Sequence, residues 1–329
     1  WIGGFCVVGS ELGCQQALLI VGPTGIGKTN LSMALQDLLG GVSRTSLISV
    51  DSAMIYRGMN IGTAKPNAAE LEQHPLAMID LRSPCEGYSV GEFVRDADEE
   101  LIKARDLSKI PILVGGTMLY CDRLLKGLAN LPMDLQVREN LARELQLNGN
   151  EGMYKKLNEL DPRSAAKIHP NNVQRVLRAL EVNQITGKSI STHWSGESQS
   201  DFYSRINLGC RTLILIPSSR EALYQRVEER FYLMIQSGFL KEVEDLMHAS
   251  EFERESSAMR AVGYKQAISH LMGEISYDEF VFKAIVATRN LVKRQLTWLK
   301  RFSGIKRIID FQAQEDLYEV AADLKVMLG

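Results

Sequence analysis

The sequence predicts an α/β protein, a core of parallel strands and helices with a helical domain inserted into it. Three observations predict this. Short apolar runs leading into turns recur at residues 17–21, 46–50 and 110–114, the pattern of strands buried on both faces. From about residue 133 to 203 the composition shifts to polar, helix-like sequence, after which a further apolar run resumes at 212–217. A chain of 329 residues with 45% hydrophobic residues can bury two domains, or one large core carrying an insertion. The division expected is a leader at 1–16, a core built from 17–132 and 204–329 with carboxyl-terminal helices, and an insertion at 133–203.

Composition excludes several classes. No apolar run approaches the ~18 residues of a membrane span. The five cysteines, Cys6, Cys14, Cys85, Cys121 and Cys210, are never spaced C-x-x-C, so neither a disulfide framework nor a structural zinc site is indicated, and a reducing cytoplasm is expected. Residues 1–16 carry no Lys or Arg, so the positive region of a secretory signal is missing. A formal net charge of −2 argues against a uniformly basic coat but not against a local basic stripe.

The first strand runs into Gly22, Pro23, Thr24, Gly25, Ile26, Gly27, Lys28 and Thr29, which fit G-x-x-x-x-G-K-[ST]. Leu31, Ala34, Leu35 and Leu38 then repeat at helical spacing until Gly40 and Gly41. The motif therefore lies between a strand and a helix, where a P-loop belongs, and the core is predicted to be P-loop NTPase-like. Its chemistry is anion capture, by backbone N–H groups and the positive end of a helix. Lys28 adds a charge, and the Thr29 hydroxyl is placed to hold Mg²⁺. The second strand ends at Asp51, which reads equally as a Walker-B-like Mg²⁺ partner, a general base or a helix N-cap. The third ends in Gly115, Gly116 and Thr117, a tight turn that lets backbone and a hydroxyl approach a ligand.

Three later segments carry charge in a pattern. Ser218 and Glu221 read as a capping box opening a helix with Leu223, Val227, Phe231 and Met234 as its buried stripe and Gly238 as its stop. Arg226 and Arg230 share one face of it, which suits a diphosphate clamp. Within the insertion, Asn172 caps a helix with Val173, Val176, Leu177 and Leu180 on one face, Arg175 and Arg178 away from it, and Gly187 at its end. Arg289, Lys293, Arg294, Lys300, Arg301, Lys306 and Arg307 occur with no acid between Thr288 and Ile309, and Leu291, Leu296, Trp298 and Leu299 among them indicate a packed basic ridge suited to a phosphate backbone. The five histidines show no metal-ligand spacing.

The run Ile48-Ser-Val-Asp-Ser-Ala-Met-Ile-Tyr-Arg-Gly-Met-Asn-Ile-Gly-Thr-Ala-Lys-Pro66, with Gly22-Pro-Thr24 and Leu113-Val-Gly-Gly-Thr-Met-Leu-Tyr120, resembles the bacterial tRNA dimethylallyltransferases, also called tRNA isopentenyltransferases. Asp161-Pro162, Ile168-His-Pro170, Gln174-Arg-Val-Leu-Arg178, Arg230-Phe231, Arg260-Ala-Val-Gly-Tyr-Lys265 and Lys293-Arg-Gln-Leu-Thr-Trp-Leu299 follow in the family's order. The resemblance spans about residues 18–302 and implies the short form without a zinc finger. It implies transfer of a dimethylallyl group from dimethylallyl diphosphate to N6 of the adenine beside the anticodon, with Mg²⁺ as cofactor, tRNA as partner through its anticodon arm, no membrane, and a monomer. Asp51 is then the base, because the N6 lone pair is delocalised and the amine needs a proton acceptor. The base must also leave its stack. Thr117 and Arg230 join Asp51 as catalytic residues, and Arg226 is left as a surface partner of Glu229. The tRNA contacts implied are Asp51, Ser52, Ala53, Met54, Thr117, Arg138, Gln174, Arg175, Val176, Leu177, Arg178, Arg260, Ala261, Val262, Gly263, Tyr264, Lys265, Lys293, Arg294, Gln295, Trp298 and Lys300. Tyr264 reads almost equally as an RNA-facing ring or a core aromatic. Two rivals stand beside this reading. A P-loop small-molecule kinase explains the first half of the chain and leaves the basic ridge idle, and an RNA-binding P-loop module leaves Asp51 and Thr117 without work.

Overall fold

The structure is a computed structural model describing residues 16–128, 131–196, 201–249, 251–309, 321–323 and 325. These fall into two compact units, one drawn from 1–126 and 201–329 and the other from 127–200.

In the first unit, β1 (Gln16–Val21), α1 (Lys28–Leu38), β2 (Thr45–Val50), α2 (Ala68–Gln73), β3 (Leu76–Ala77), α3 (Val90–Asp106), β4 (Ile110–Gly115) and α4 (Met118–Lys126) alternate strand and helix. β1 includes Gln16, opposite Gly209 of a later strand, which takes that residue out of the expected leader; the rest of the expected leader lies outside the described residues. The second unit holds α5 (Leu135–Leu160), α6 (Pro162–Ala165), α7 (Val173–Thr186) and α8 (Ile190–Gly196). The chain then returns to the first unit as α9 (Phe202–Ile206), β5 (Gly209–Pro217), α10 (Arg220–Gln236), α11 (Phe239–Met247), α12 (Tyr264–Leu271), α13 (Tyr277–Leu299) and β6 (Ile305–Ile309). The expected edge at residue 203 falls inside α9, where Phe202 and Ile206 are buried and Arg205 pairs with Asp98 and donates to the Leu124 carbonyl.

Among the described residues the six strands run parallel, in the order β3-β2-β4-β1-β5-β6. β1 is central because Leu18, Leu19, Ile20 and Val21 are all buried, leaving no polar face for water. One face packs Leu18, Ile20, Leu47, Ile112, Val114, Leu213 and Leu215 against Ile26, Leu31 and Leu35, each large side chain contributing ~1.5–3 kcal/mol by burial. Register brings Val50, Gly115 and Val21 side by side at the carboxyl edge, so the P-loop, Asp51 and the Gly116-Thr117 turn leave the sheet together, where ligands of open α/β sheets bind. β3 and β6 close the sheet. β6 takes Lys306 and Arg307 out of the expected helical ridge and onto an edge strand, where charge blunts edge pairing.

Among the described residues no helix is long and apolar enough to cross a membrane.

Candidate active site

The loop after β1 is shaped by glycine. Gly27, at φ 96° and ψ 16°, is the left-handed N-cap of α1 and supplies no side-chain cap, so the N–H groups of the first turn remain for an anion. Lys28 Nζ donates to the Pro23 carbonyl at 2.8 Å. Burial pulls the Lys28 ammonium down to about 8; the Asp51 carboxylate opposes that pull and the Arg230 guanidinium adds to it. An anion beside Lys28 would restore its charge.

Asp51 does not cap a helix. Its Oδ1 accepts the N–H groups of Ala53 (2.8 Å) and Met54 (3.2 Å) in a turn, and no helix starts there. Its other oxygen has no hydrogen-bond partner among the described residues, so the base and metal-partner readings both survive. Thr117 Oγ1 accepts the Ser52 N–H at 3.0 Å and donates to Ser52 Oγ at 3.2 Å. That pair ties the β4 turn to the turn bearing Asp51.

α10 supplies the opposite wall. Its cap is Ser219, which accepts the Ala222 N–H; the expected Ser218 and Glu221 box is one residue out of register. Of the expected stripe, Leu223, Val227 and Phe231 are buried and Met234 is half-buried, at the wall of a cavity, and Gly238 follows the helix end in the left-handed region. Arg230 Nη2 donates to Thr24 Oγ1 at 2.6 Å, while its Nε is buried without a partner. Burial and the neighbouring Arg226 both lower the Arg230 pKa, against the pull of Asp51. A buried guanidinium with an unused donor is a site short of an anion. Arg226 is exposed, and its Nε donates to the Gly25 carbonyl at 2.9 Å, which ties α10 to the P-loop; Glu229 accepts from Gln225.

These groups border two cavities. One, of about 340 Å³, is lined by the P-loop with Lys28 and Thr29, by Lys65 and by Arg226. The other, of about 470 Å³, is walled by Met118, Leu119, Val227, Phe231, Phe239 and Leu291, with Arg260 and Arg294 among its residues. They share Thr24, Asp51, Thr63, Gly116, Arg230 and Gln295.

The candidate RNA residues divide. Ser52, Ala53, Thr117, Arg260, Ala261, Val262, Arg294 and Trp298 line the larger cavity; Met54 lines the smaller. Lys265, Lys293, Arg294 and Lys300 are exposed. Tyr264 is fully buried, donates its hydroxyl to Glu242 Oε1 at 2.6 Å and meets Phe239 edge-on, so it is a core aromatic set in the wall of the larger cavity. Gly263 is buried beside it. Gln295 is also buried; its amide accepts from Thr24 N–H and donates to the Gly116 carbonyl, both at 2.9 Å, in the wall that the two cavities share. Arg289 leaves the ridge, paired with Glu228 and lying over Tyr224.

Within the second unit, Val176 is buried among Leu141, Met153, Leu157 and Leu180, with Leu177 packed against them; these two side chains build the core. Arg138 and Arg178 both bond buried Glu181, at 2.8 and 2.7 Å, and Arg178 also donates to the carbonyls of Leu131 and Pro132. Gln174 and Arg175 remain exposed.

Three organising residues escape a local reading: Arg226, Gln295 and Glu242. Glu242 accepts the N–H groups of Asn60, Ile61 and Gly62 as well as the Tyr264 hydroxyl, holding the loop that lines the larger cavity. The available signal for Gln295 is a polar residue in phase with buried Val292 and Leu299.

A parallel sheet whose central strand runs into an anion-binding loop, faced by a carboxylate and a buried arginine, defines a P-loop-type group-transfer enzyme. Residues 54–302 match the IPP transferase family, and the chain belongs to that family of prenyl transferases. It is similar to the full-length tRNA isopentenylpyrophosphate transferase of Bacillus halodurans (30% identity, 94% of this chain and 96% of that one, TM-score 0.64). It is also similar to the tRNA delta(2)-isopentenylpyrophosphate transferase of Staphylococcus epidermidis (31%, 95% and 98%, TM-score 0.66). A eukaryotic dimethylallyltransferase acting on tRNA aligns at 25% identity over 95% of this chain and 78% of that one, with TM-score 0.75.

Proposed function

We propose that this chain transfers a dimethylallyl group from dimethylallyl diphosphate to N6 of the adenine at position 37 of tRNA, beside the anticodon, releasing diphosphate. The observation that carries the reading is the junction of the two cavities at Thr24, Asp51, Gly116 and Arg230. A prenyl diphosphate is divided in the same way, an anion joined to a hydrocarbon through the C–O bond that breaks. The P-loop N–H groups, Lys28 and Arg230 hold the diphosphate, and the developing charge on the leaving oxygen falls among donors already fixed in place. The adenine enters the larger cavity after unstacking, which a single-stranded loop makes inexpensive. As N6 bonds to the prenyl carbon, the C–O electron pair leaves with the diphosphate and the N6 proton passes to Asp51. Two backbone N–H groups on Oδ1 orient the carboxylate, and Thr117 holds its turn through Ser52.

Mg²⁺, when bound, neutralises charge on the diphosphate. The Thr29 hydroxyl and the Asp51 carboxylate are hard oxygen donors that fit it, and among the described residues no group of three or more His, Cys, Asp or Glu is placed to hold a metal, so diphosphate and water oxygens would complete the set. Exposed Arg260, Lys265, Lys293, Arg294 and Lys300 suit the phosphates of the anticodon arm.

The test is incubation with unmodified tRNA and either labelled dimethylallyl diphosphate or γ-labelled ATP. Label on the RNA from the prenyl diphosphate is expected. Label transfer from ATP alone would overturn the reading in favour of a kinase.

A further inference from the structure

We propose that Gln295 is a positioning residue for the reaction, setting the P-loop against the β4 turn from inside the helix whose outer face carries Lys293 and Arg294. The proposal rests on the reading of the smaller cavity as a diphosphate site. Gln295 lies on α13, 271 residues from Thr24, and the residue is 7% exposed. A primary amide carries an acceptor and a donor on one rigid end, and Gln295 uses one for each loop: Oε1 takes the Thr24 N–H, and Nε2 gives to the Gly116 carbonyl. Each bond satisfies a main-chain group within the wall the two cavities share. Without the amide, an N–H and a C=O would be left unpaired in place.

The site is built around this strut. A Cβ on Gly116 would lie 2.8 Å from Gln295 Nε2 and 3.3 Å from the Gly22 carbonyl, so any side chain on this turn would press on the amide. Thr24 passes the constraint on: its N–H is held by Gln295 and its hydroxyl accepts from Arg230. The amide therefore fixes the P-loop, the β4 turn and, through Thr24, the clamp arginine. In-line departure of diphosphate is sensitive to such placement, since small displacements of positioned groups cost large factors in rate. Gln295 thus acts on the anion, although its neighbours in sequence point toward RNA.

The experiment is Gln295→Met, which keeps the length and loses both bonds. Pyrophosphate affinity is expected to fall about tenfold and kcat ~10–100-fold, with the Kd for tRNA within about twofold of wild type. Lys293→Ala/Arg294→Ala is expected to show the reverse split, weaker tRNA binding with pyrophosphate affinity retained. Unchanged pyrophosphate binding in a folded Gln295→Met protein, or a loss confined to tRNA, would overturn the proposal. A second measurement needs no variant: the Thr24 amide of the ligand-free wild-type chain should be protected from hydrogen exchange, and exchange at the rate of an unstructured peptide would show that the strut is not held. Pyrophosphate binding is read without any transfer. A chain that binds pyrophosphate in a Gln295-dependent manner yet prenylates no RNA would sink the proposed function and leave this role intact.

Discussion

Helices α10 and α7 look alike in sequence, each amphipathic and each carrying a pair of arginines. In the structure they use those arginines in opposite ways. Arg178 on α7 is matched at short range: Glu181, one turn on, and two carbonyls take its donors. Arg230 on α10 reaches a hydroxyl and keeps a buried Nε with no partner. The lesson is that an arginine is assigned to a ligand by the anion its surroundings lack. Arg178 builds structure, and Arg230, which lines both cavities, keeps a donor for an anion.

The largest expected effect lies at the junction Arg230 serves. Asp51→Asn should retain pyrophosphate and tRNA binding while kcat falls ~10²–10⁴-fold, the range for losing a general base; single-turnover assays with full-rate transfer would remove Asp51 from that role. Arg230→Met comes next. Charged hydrogen bonds are worth about 1.5–3 kcal/mol, so pyrophosphate should bind ~10–100-fold more weakly by calorimetry, with thermal stability unchanged or raised because a buried charge is gone. Arg178→Met should do the reverse, leaving pyrophosphate affinity alone and destabilising the helical unit.

The same contrast has a pH signature. Burial would raise the Glu181 carboxyl, but Arg178 and Arg138 hold it below the usual range. A depressed carboxylate stabilises the fold above its unfolded pKa and loses that contribution as pH falls through the folded value. Arg178→Met should therefore move acid unfolding of this unit to higher pH, measured by circular dichroism. At the other site, Lys28 in the ligand-free protein titrates at about 8 and binds anions only when protonated. Pyrophosphate affinity should weaken as pH rises above that value, approaching tenfold per unit at most, and Lys28→Met should remove the slope along with much of the affinity. The smallest effect expected is at the ridge, where Lys293→Ala/Arg294→Ala should reduce the salt slope of tRNA binding by roughly 1–2.

Much of this was legible along the chain. The P-loop, the ends of β1, β2 and β4, and the capped helix from Val173 to Thr186 all follow from apolar spacing and glycine placement, because those signals act over a few residues. The helix from Arg220 was legible too, although the cap was read one residue early. β6 was not, since five residues with two cations carry no alternation to mark an edge strand. Nor was the burial of Gln295, which lies within a segment otherwise read as RNA-facing, whereas for Tyr264 the core position was one of two readings the sequence left open.

By itself the sequence determined a parallel α/β core with an anion-binding loop, a carboxylate and a glycine turn at neighbouring strand ends, an inserted helical segment and a basic carboxyl-terminal helix. Each is a matter of neighbouring residues and backbone periodicity. Tertiary structure alone decided which charges are spent and which remain: Glu181 on Arg138 and Arg178, Arg226 on the Gly25 carbonyl, Glu242 on a loop 182 residues away. Local pattern says whether a polar side chain can be buried, but only the fold says what meets it there, and that partner determines whether the group supports the protein or binds its substrate.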